Sequence, residues 1–173
     1  MVPGMANQRK PKVKTLKPLP SLKGVLGAAQ DFYVGAGVLH EQIEKALAKK
    51  TDNKGVAPGS FVILGALHLE LMFKALLIIH KRPAWGHNLM ELFEDLPRSE
   101  RTALETVYMS DRSHGNTMDL QEAVKHCKDA FVHYRYAYDY KPDKLLLLPF
   151  KDLIRSVTTR VDATKPEPQN PWE

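Results

Sequence analysis

The sequence predicts an all-α fold, an antiparallel bundle of four to six helices. Three observations lead to this prediction. Apolar residues recur at three- and four-residue steps over long stretches of the chain. Sustained two-residue alternation and Asn-Gly hairpin turns, which indicate strands, do not occur in the sequence. The length of 173 residues suits a single domain with a real core.

The sequence divides into three parts. Residues 1–20 contain four prolines and are predicted to be a basic, disordered arm. Residues 21–163 are predicted to form one helical domain, and residues 164–173 a disordered tail. Residues 1–23 hold six cations and no acid, so the net charge of +5 leaves the rest of the chain at −1. The basic arm either adds salt-dependent attraction to nucleic acid or is a solvated leader.

Two long helices are predicted first. Residues 21–50 show helical apolar spacing and end in lysines, which suit the negative end of a helix dipole. A polar turn follows, and a second helix is predicted over residues 60–80. This helix is apolar nearly all round, so we expect it at the centre of the domain. Pro83 and Gly86 end it.

Shorter helices follow along the chain. Asn88, with a glutamate three residues later, is predicted to start one helix, and Pro97 starts the next. Thr117 or Asp119 caps a further helix, which is predicted to continue to Pro142.

A last helical segment is predicted over residues 144–162 from its apolar spacing. Pro149 is expected to kink or divide this segment. The four leucines at 145–148 also fit a short strand, but their flanks favour a helix.

Cysteine content and hydropathy predict a cytoplasmic protein with no membrane partner. The single cysteine, Cys127, rules out an intramolecular disulfide framework and fits a reducing compartment. No signal-peptide pattern follows the basic N-terminus. Residues 61–79 have nearly the length of a membrane span, but Glu70 and Lys74 would each cost about 2.5–3.5 kcal/mol at its centre. A buried helix is therefore the preferred interpretation.

Cofactor and metal motifs do not occur in the sequence. It contains no P-loop, no GxGxxG and no nucleophile elbow, and its histidines show neither HxxxH nor HExxH spacing. We therefore expect neither a cofactor nor a metal ion.

Glu70 and Lys74 lie four residues apart in the middle of the apolar helix. Burying a charged pair is costly unless partners are provided for it. We therefore expect a buried polar network that also includes His68 or Arg135. Such a network either organises the structure or belongs to a functional site.

The same segment resembles the HEPN superfamily. The resemblance is carried by HLELMFKALL, a short break, Gly-His-Asn-Leu and an LxxLFxxLP-type helix, and by the aromatic element HYRYAYD at 133–139. It covers about residues 22–140, and Asn88 stands where Asp is commoner in the family. The resemblance implies a small all-α bundle associated with RNA or nucleotide chemistry.

In the nuclease branch of that superfamily an Arg and a later His are separated by four to six residues on a late helix, and the pair acts across a homodimer. The resemblance thus implies an RNA- or nucleotide-binding homodimer of a toxin or phage-defence system, with metal-independent endoribonuclease chemistry. After Arg135 the corresponding positions, 140–142, hold Tyr, Lys and Pro, so this motif is not intact. Arg82 and His87 match the spacing in the interhelical break instead.

The candidate catalytic residues are His87, as a base, and Arg135, as a phosphate-binding cation for which Arg82 is the substitute. Arginine forks onto phosphate and aromatic rings stack on bases. The candidate ligand-binding residues are therefore Arg82, His133, Tyr136 and Tyr138.

A structural interpretation competes with each of these roles. A histidine that begins a helix, as His87 does, is more often a capping or packing residue than a catalyst. Arg135 could instead pair with Glu70 or Asp139 in a tyrosine-rich helix. The alternative function is accordingly a non-catalytic dimerisation or protein-interaction module. In that case the polar cluster of Glu70, Lys74 and His68 fixes the register of the helices.

Overall fold

The computed structural model describes residues 20–48, 58–128 and 147–166. They contain helices and no strand, which confirms the predicted all-α class. The predicted arm, most of the predicted tail and the predicted continuation of the fifth helix to Pro142 lie outside the described residues. The helices are α1 (Leu22–Ala48), α2 (Pro58–Ile79), α3 (Leu89–Glu94), α4 (Arg98–Asp111), α5 (Leu120–Cys127) and α6 (Leu147–Thr164).

Helix α2 forms the centre of the bundle, as its sequence predicts. It packs against α1, α3 and α6. Because α2 has neighbours on several sides, apolar side chains all round its axis are buried. The buried apolar residues of α2 are Phe61, Val62, Ala66, Leu69, Met72, Phe73, Ala75, Leu76 and Leu77.

Helix α2 is also long and apolar enough to cross a membrane, judged by length and composition, over Gly59–Ile79. In the bundle, 61% of that apolar stretch is buried against protein. The expected lack of a membrane partner stays a prediction that rests on the charged pair Glu70 and Lys74 within this helix, and the cytoplasmic location stays a prediction that rests on the single cysteine.

Helices α1 and α2 run antiparallel. The ring of His40 lies 5.4 Å from that of Phe61, and the ring of Tyr33 lies 5.1 Å from that of His68. Residue numbers therefore fall along α1 as they rise along α2. Gly35 lets α1 approach closely, since a Cβ there would lie 3.1 Å from the side chain of Leu64 on α2.

Helices α2 and α6 run parallel, so the antiparallel arrangement predicted from the sequence is wrong for this pair. Phe61 packs edge-on against Phe150 with 5.8 Å between ring centroids, and His68 lies 2.8 Å from the hydroxyl of Thr158. Residue numbers rise together along the two helices. This direction is possible because the chain passes through α3, α4 and α5 before it returns to α2, as in bundles with long crossover connections.

Pro149 lies in the first turn of α6, which continues from Leu147 to Thr164. The expectation that Pro149 divides the last helix is therefore wrong for the described residues. A proline is tolerated there because the first N–H groups of a helix have no intrahelical acceptor.

The break after α2 begins with a hydrogen-bonded C-cap. The Arg82 N–H donates to Leu77 O at 2.8 Å, and the Lys81 N–H donates to Ile78 O at 2.9 Å. These two bonds form a Schellman motif, which places Lys81 in the left-handed region at φ 55°. The chain therefore turns sharply at the end of α2, ahead of Pro83, and leads directly to His87.

Side-chain caps start the two short helices. Asn88 accepts from the Met90 N–H at 2.9 Å, which confirms the predicted start of α3. Asp119 rather than Thr117 caps α5: its side chain accepts from the Glu122 N–H at 2.8 Å, and the Glu122 carboxylate accepts from the Asp119 N–H at 3.1 Å.

The close approach of α2 and α6 at Gly65 predicts a stability effect. A Cβ at this position would lie 2.8 Å from side-chain atoms of both Ile154 and Phe150, and Phe150 is fully buried. We expect Gly65→Ala to lower the free energy of unfolding by about 1–3 kcal/mol. A Cβ at the exposed Gly27 would meet nothing within 4 Å. Gly27→Ala should therefore raise the free energy of unfolding by about 0.5–1 kcal/mol.

Urea unfolding of the two variants and the wild type measures both effects. Equal stabilisation by the two substitutions would contradict the close approach at Gly65.

Candidate functional site

The buried carboxylate of Glu70 is the centre of the candidate site. Its Oε1 atom accepts hydrogen bonds from Lys74 Nζ at 2.7 Å and from His87 Nδ1 at 2.9 Å. The Glu70 side chain is only 7% exposed, whereas that of His87 is 77% exposed. We call these three residues the Glu70 cluster. It joins the middle of α2 to the loop that precedes α3.

The hydrogen bond to Glu70 determines how the His87 ring is oriented. An ionised carboxylate can only accept, so His87 Nδ1 carries the proton of this bond. The neutral ring then has its lone pair on Nε2, away from Glu70. This is the arrangement in which a carboxylate holds a histidine as a general base. The sequence could not show this bond, because 17 residues separate the two side chains.

Arg82, the other candidate residue in the break, has a structural contact. Its Nη1 atom donates to Asp95 O at 2.7 Å, at the C-cap of α3. The bond ties the break to the end of α3 and satisfies a terminal carbonyl. The rest of the exposed guanidinium keeps donors that can bind an anion.

His68 is not part of the Glu70 cluster, so the expected network of Glu70, Lys74 and His68 is corrected. His68 Nδ1 lies 2.9 Å from Ala29 O on α1, and Nε2 lies 2.8 Å from Thr158 Oγ1 on α6. Residues two apart on a helix point to different sides, which separates His68 from Glu70. Burial lowers the pKa of His68, so the ring is neutral at pH 7.

The remaining candidates lie outside the described residues. They are Arg135, proposed as the phosphate-binding cation, and the predicted ligand-binding residues His133, Tyr136 and Tyr138. The alternative pairing of Arg135 with Glu70 or Asp139 falls in the same segment.

A second buried carboxylate, Glu100, was not predicted from the sequence. It accepts a two-pronged pair of bonds from Arg160, Nε to Oε1 at 2.6 Å and Nη2 to Oε2 at 2.9 Å. His80 Nε2 donates to Oε2 at 2.9 Å. Burial opposes ionisation of Glu100, but the bonds from Arg160 and His80 outweigh it and lower the pKa of the carboxyl. The cluster joins the residue that follows α2 to α4 and α6.

A third buried carboxylate, Asp152 on α6, organises the loop between α4 and α5. It accepts from Ser113 N at 2.9 Å and Ser113 Oγ at 2.6 Å, from Asn116 Nδ2 at 2.8 Å and from Arg155 Nη2 at 2.9 Å. Arg155 also donates to Asp111 O. Burial opposes ionisation of Asp152, but the bonds from Ser113 and Asn116 outweigh it and lower the pKa of the carboxyl.

A sequence signal for Glu100 does exist. Glu100, Leu104 and Tyr108 are spaced by four and are all buried on one face of α4. An acidic residue in register with an apolar stripe would have indicated a buried carboxylate.

Cys127 is buried at the end of α5, as its residue type predicts. Burial raises the pKa of the thiol to about 12. The thiol is therefore protonated at pH 7 and unreactive as a nucleophile.

Within residues 20–48, 58–128 and 147–166, no group of three His, Cys, Asp or Glu side chains is placed to hold a metal ion. Comparison with protein-family models, with curated proteins and with solved structures found no match to this chain. The resemblance to the HEPN superfamily therefore stays a prediction.

The lowered pKa of Asp152 predicts how stability depends on pH. A carboxyl whose pKa is lower in the folded protein stabilises the fold above its unfolded pKa, and this contribution is lost as the pH falls through the folded pKa. We expect the free energy of unfolding to decrease below about pH 4. Asp152→Asn should lower it by about 1–3 kcal/mol at pH 7 and weaken its dependence on acid pH.

Urea unfolding between pH 2 and pH 7 measures these effects. Asp31→Asn, on the exposed side of α1, serves as the control and should change stability at pH 7 by less than about 0.5 kcal/mol. The same acid dependence in the Asp152→Asn variant and the wild type would contradict the role of this carboxylate.

Proposed function

We propose that the protein is an HEPN-like helical bundle that binds RNA or a nucleotide, acts as a homodimer and belongs to a toxin or phage-defence system. The proposal has a second part, metal-independent cleavage of the bound RNA, which is tested separately from binding. The observation that carries the proposal is the hydrogen bond from the exposed His87 to the buried Glu70.

The Glu70 cluster provides the parts that proton abstraction requires. Neutral His87 accepts the proton of an RNA 2′-hydroxyl at Nε2, and the resulting oxygen nucleophile attacks the adjacent phosphorus. The bond from phosphorus to the 5′ oxygen breaks, which leaves a 2′,3′-cyclic phosphate. The proton then passes from His87 to the departing 5′ oxygen. Ionised Glu70 stabilises the His87 cation that exists between these two proton transfers.

The developing charge on the phosphate needs a cation close to His87. Lys74 is held by Glu70 at 2.7 Å and is largely buried, so it sets the geometry of the carboxylate rather than meeting the phosphate. Arg82 is exposed in the same break and uses one donor for Asp95 O. In this proposal Arg82 or Arg135 binds the phosphate, because a guanidinium stays charged and forks onto phosphate oxygens.

Cleavage of a single-stranded RNA without added metal tests the role of His87. We expect His87→Ala to reduce the rate at least about 100-fold, because a positioned acid–base group contributes this much or more. Glu70→Gln should also reduce the rate while His87 remains present, since the neutral amide no longer stabilises the His87 cation. His114→Ala, at an exposed turn, is the matched control and should keep the wild-type rate.

RNA binding is measured on the same variants by fluorescence anisotropy. Binding by the wild type that weakens in Arg82→Ala or Arg135→Ala supports the proposal without requiring cleavage. If the wild type and His87→Ala cleave RNA at the same background rate, the proposed ribonuclease activity is wrong. If the wild type binds neither RNA nor mononucleotides, the whole proposal is wrong.

An exposed apolar stripe on α1 favours the alternative function, a non-catalytic dimerisation or protein-interaction module. Val34 and Val38 lie four residues apart and are exposed, and the adjacent Tyr33 is also exposed. Exposed apolar side chains on one helix face are typical of surfaces that associate. In this alternative the Glu70 cluster serves the register of the helices, so Lys74→Met lowers the melting temperature and leaves ligand binding unchanged.

Sedimentation velocity tests whether α1 forms the subunit interface. We expect the wild type to sediment as a dimer and the double variant Val34→Lys with Val38→Lys as a monomer, because lysines placed opposite one another repel and stay hydrated. Met109→Lys, at an exposed apolar position on α4, is the control and should remain a dimer. A dimeric double variant would place the interface elsewhere.

A further inference from the structure

A cavity of about 250 Å³ lies between α1, α2 and α6, away from the Glu70 cluster. Four rings line it, those of Tyr33, His40, Phe61 and His68, and its lining contains no Asp or Glu. A dry cavity of about 150 Å³ in another protein binds benzene, so this volume suits one or two fused rings. The rings of the lining offer stacked and edge-on contacts to such a ligand.

His68 contributes ring surface to the cavity rather than charge. Both of its nitrogens are already in hydrogen-bonding contact, with Ala29 O at 2.9 Å and Thr158 Oγ1 at 2.8 Å. Its residue exposure is 2%, and burial lowers its pKa. The deep end of the cavity is therefore neutral at pH 7.

The basic side chains that line the cavity differ in their partners. Arg155 is paired with Asp152, and His40 with Glu44 at 3.3 Å. Lys151 is half-buried and has neither a hydrogen bond nor an ion pair within the described part of the chain. A half-buried ammonium beside apolar rings, without a carboxylate, is stabilised when an anion binds there.

We propose that this cavity binds a small organic anion composed of one or two aromatic rings and a carboxylate. The rings occupy the space beside Tyr33, Phe61 and His68, and the carboxylate pairs with Lys151. The site is independent of the RNA proposal, since His68 and Glu70 lie on different sides of α2.

Titration calorimetry of the full chain with 2-naphthoate tests the proposal. We expect binding in the micromolar to millimolar range and binding at least about tenfold weaker for the neutral analogue 2-naphthylmethanol, because the charged hydrogen bond is lost. Lys151→Met retains the length of the side chain and removes its charge. It should weaken 2-naphthoate about tenfold and leave the neutral analogue unchanged.

A second variant fills the space directly. Gly37 lines the cavity, and a Cβ there would meet nothing within 4 Å. We therefore expect the helix to accept Gly37→Leu and the new side chain to occupy part of the site. Gly27→Leu makes the same change at an exposed position of α1 that does not line the cavity. We expect Gly37→Leu to lose binding and Gly27→Leu to keep it.

Three results would overturn the proposal. They are no binding of 2-naphthoate by the wild type up to about 5 mM, equal binding of the acid and the neutral analogue, or unchanged binding in Gly37→Leu. Circular dichroism shows whether each variant is folded, and Lys151→Met provides an independent test if Gly37→Leu is not.

Discussion

Three carboxylates, those of Glu70, Glu100 and Asp152, lie almost completely out of solvent between the helices. An ionised carboxylate without partners in such a place costs several kcal/mol, so each must be supplied with hydrogen-bond donors. The donors come largely from other parts of the chain: the loop before α3 for Glu70, the end of the α2 segment at His80 and α6 for Glu100, and the loop after α4 for Asp152. These pairings therefore determine which segments face one another. Apolar packing alone specifies the neighbours of each segment less strictly.

The three sites differ in what they present to solvent. At Glu100 the charge is matched by Arg160 and His80, and at Asp152 the donors hold a loop in place. At Glu70 one partner, His87, is largely exposed. Only a group that reaches solvent can meet a substrate. For this reason the Glu70 cluster is the basis of the proposed function, and the other two carboxylates are interpreted as supports of the fold.

Helix α2 contributes residues to two separate sites on its different sides, because other helices and the break pack around it. One side carries Glu70 and Lys74 toward the break that contains His87, and another carries His68 toward α1 and α6. The close contact at Gly65 with Phe150 and Ile154 fixes α6 along this second side. The cavity and the Glu70 cluster thus share a rigid helix but no residue, and a ligand at one does not require a ligand at the other.

The sequence alone determined the features that depend on residues close together in the chain, namely the helices, their caps and one ion pair within a helix. Spacing by three and four predicted the helices and the central place of α2. Short-range side-chain chemistry predicted the cap at Asn88, the choice of Thr117 or Asp119 for the next cap, and the pairing of Glu70 with Lys74. Local patterns contain this information because the interacting groups are within one helical turn.

Tertiary structure decided the rest of the candidate site and the direction of packing. Glu70 meets His87 across 17 residues, His68 meets Thr158 across 90, and Glu100 meets Arg160 across 60. Whether α6 runs parallel or antiparallel to α2 is likewise absent from any local pattern, since both directions bury the same apolar face. Contacts at such separations depend on how whole helices pack, and a single sequence records each helix's apolar face without recording which partner covers it.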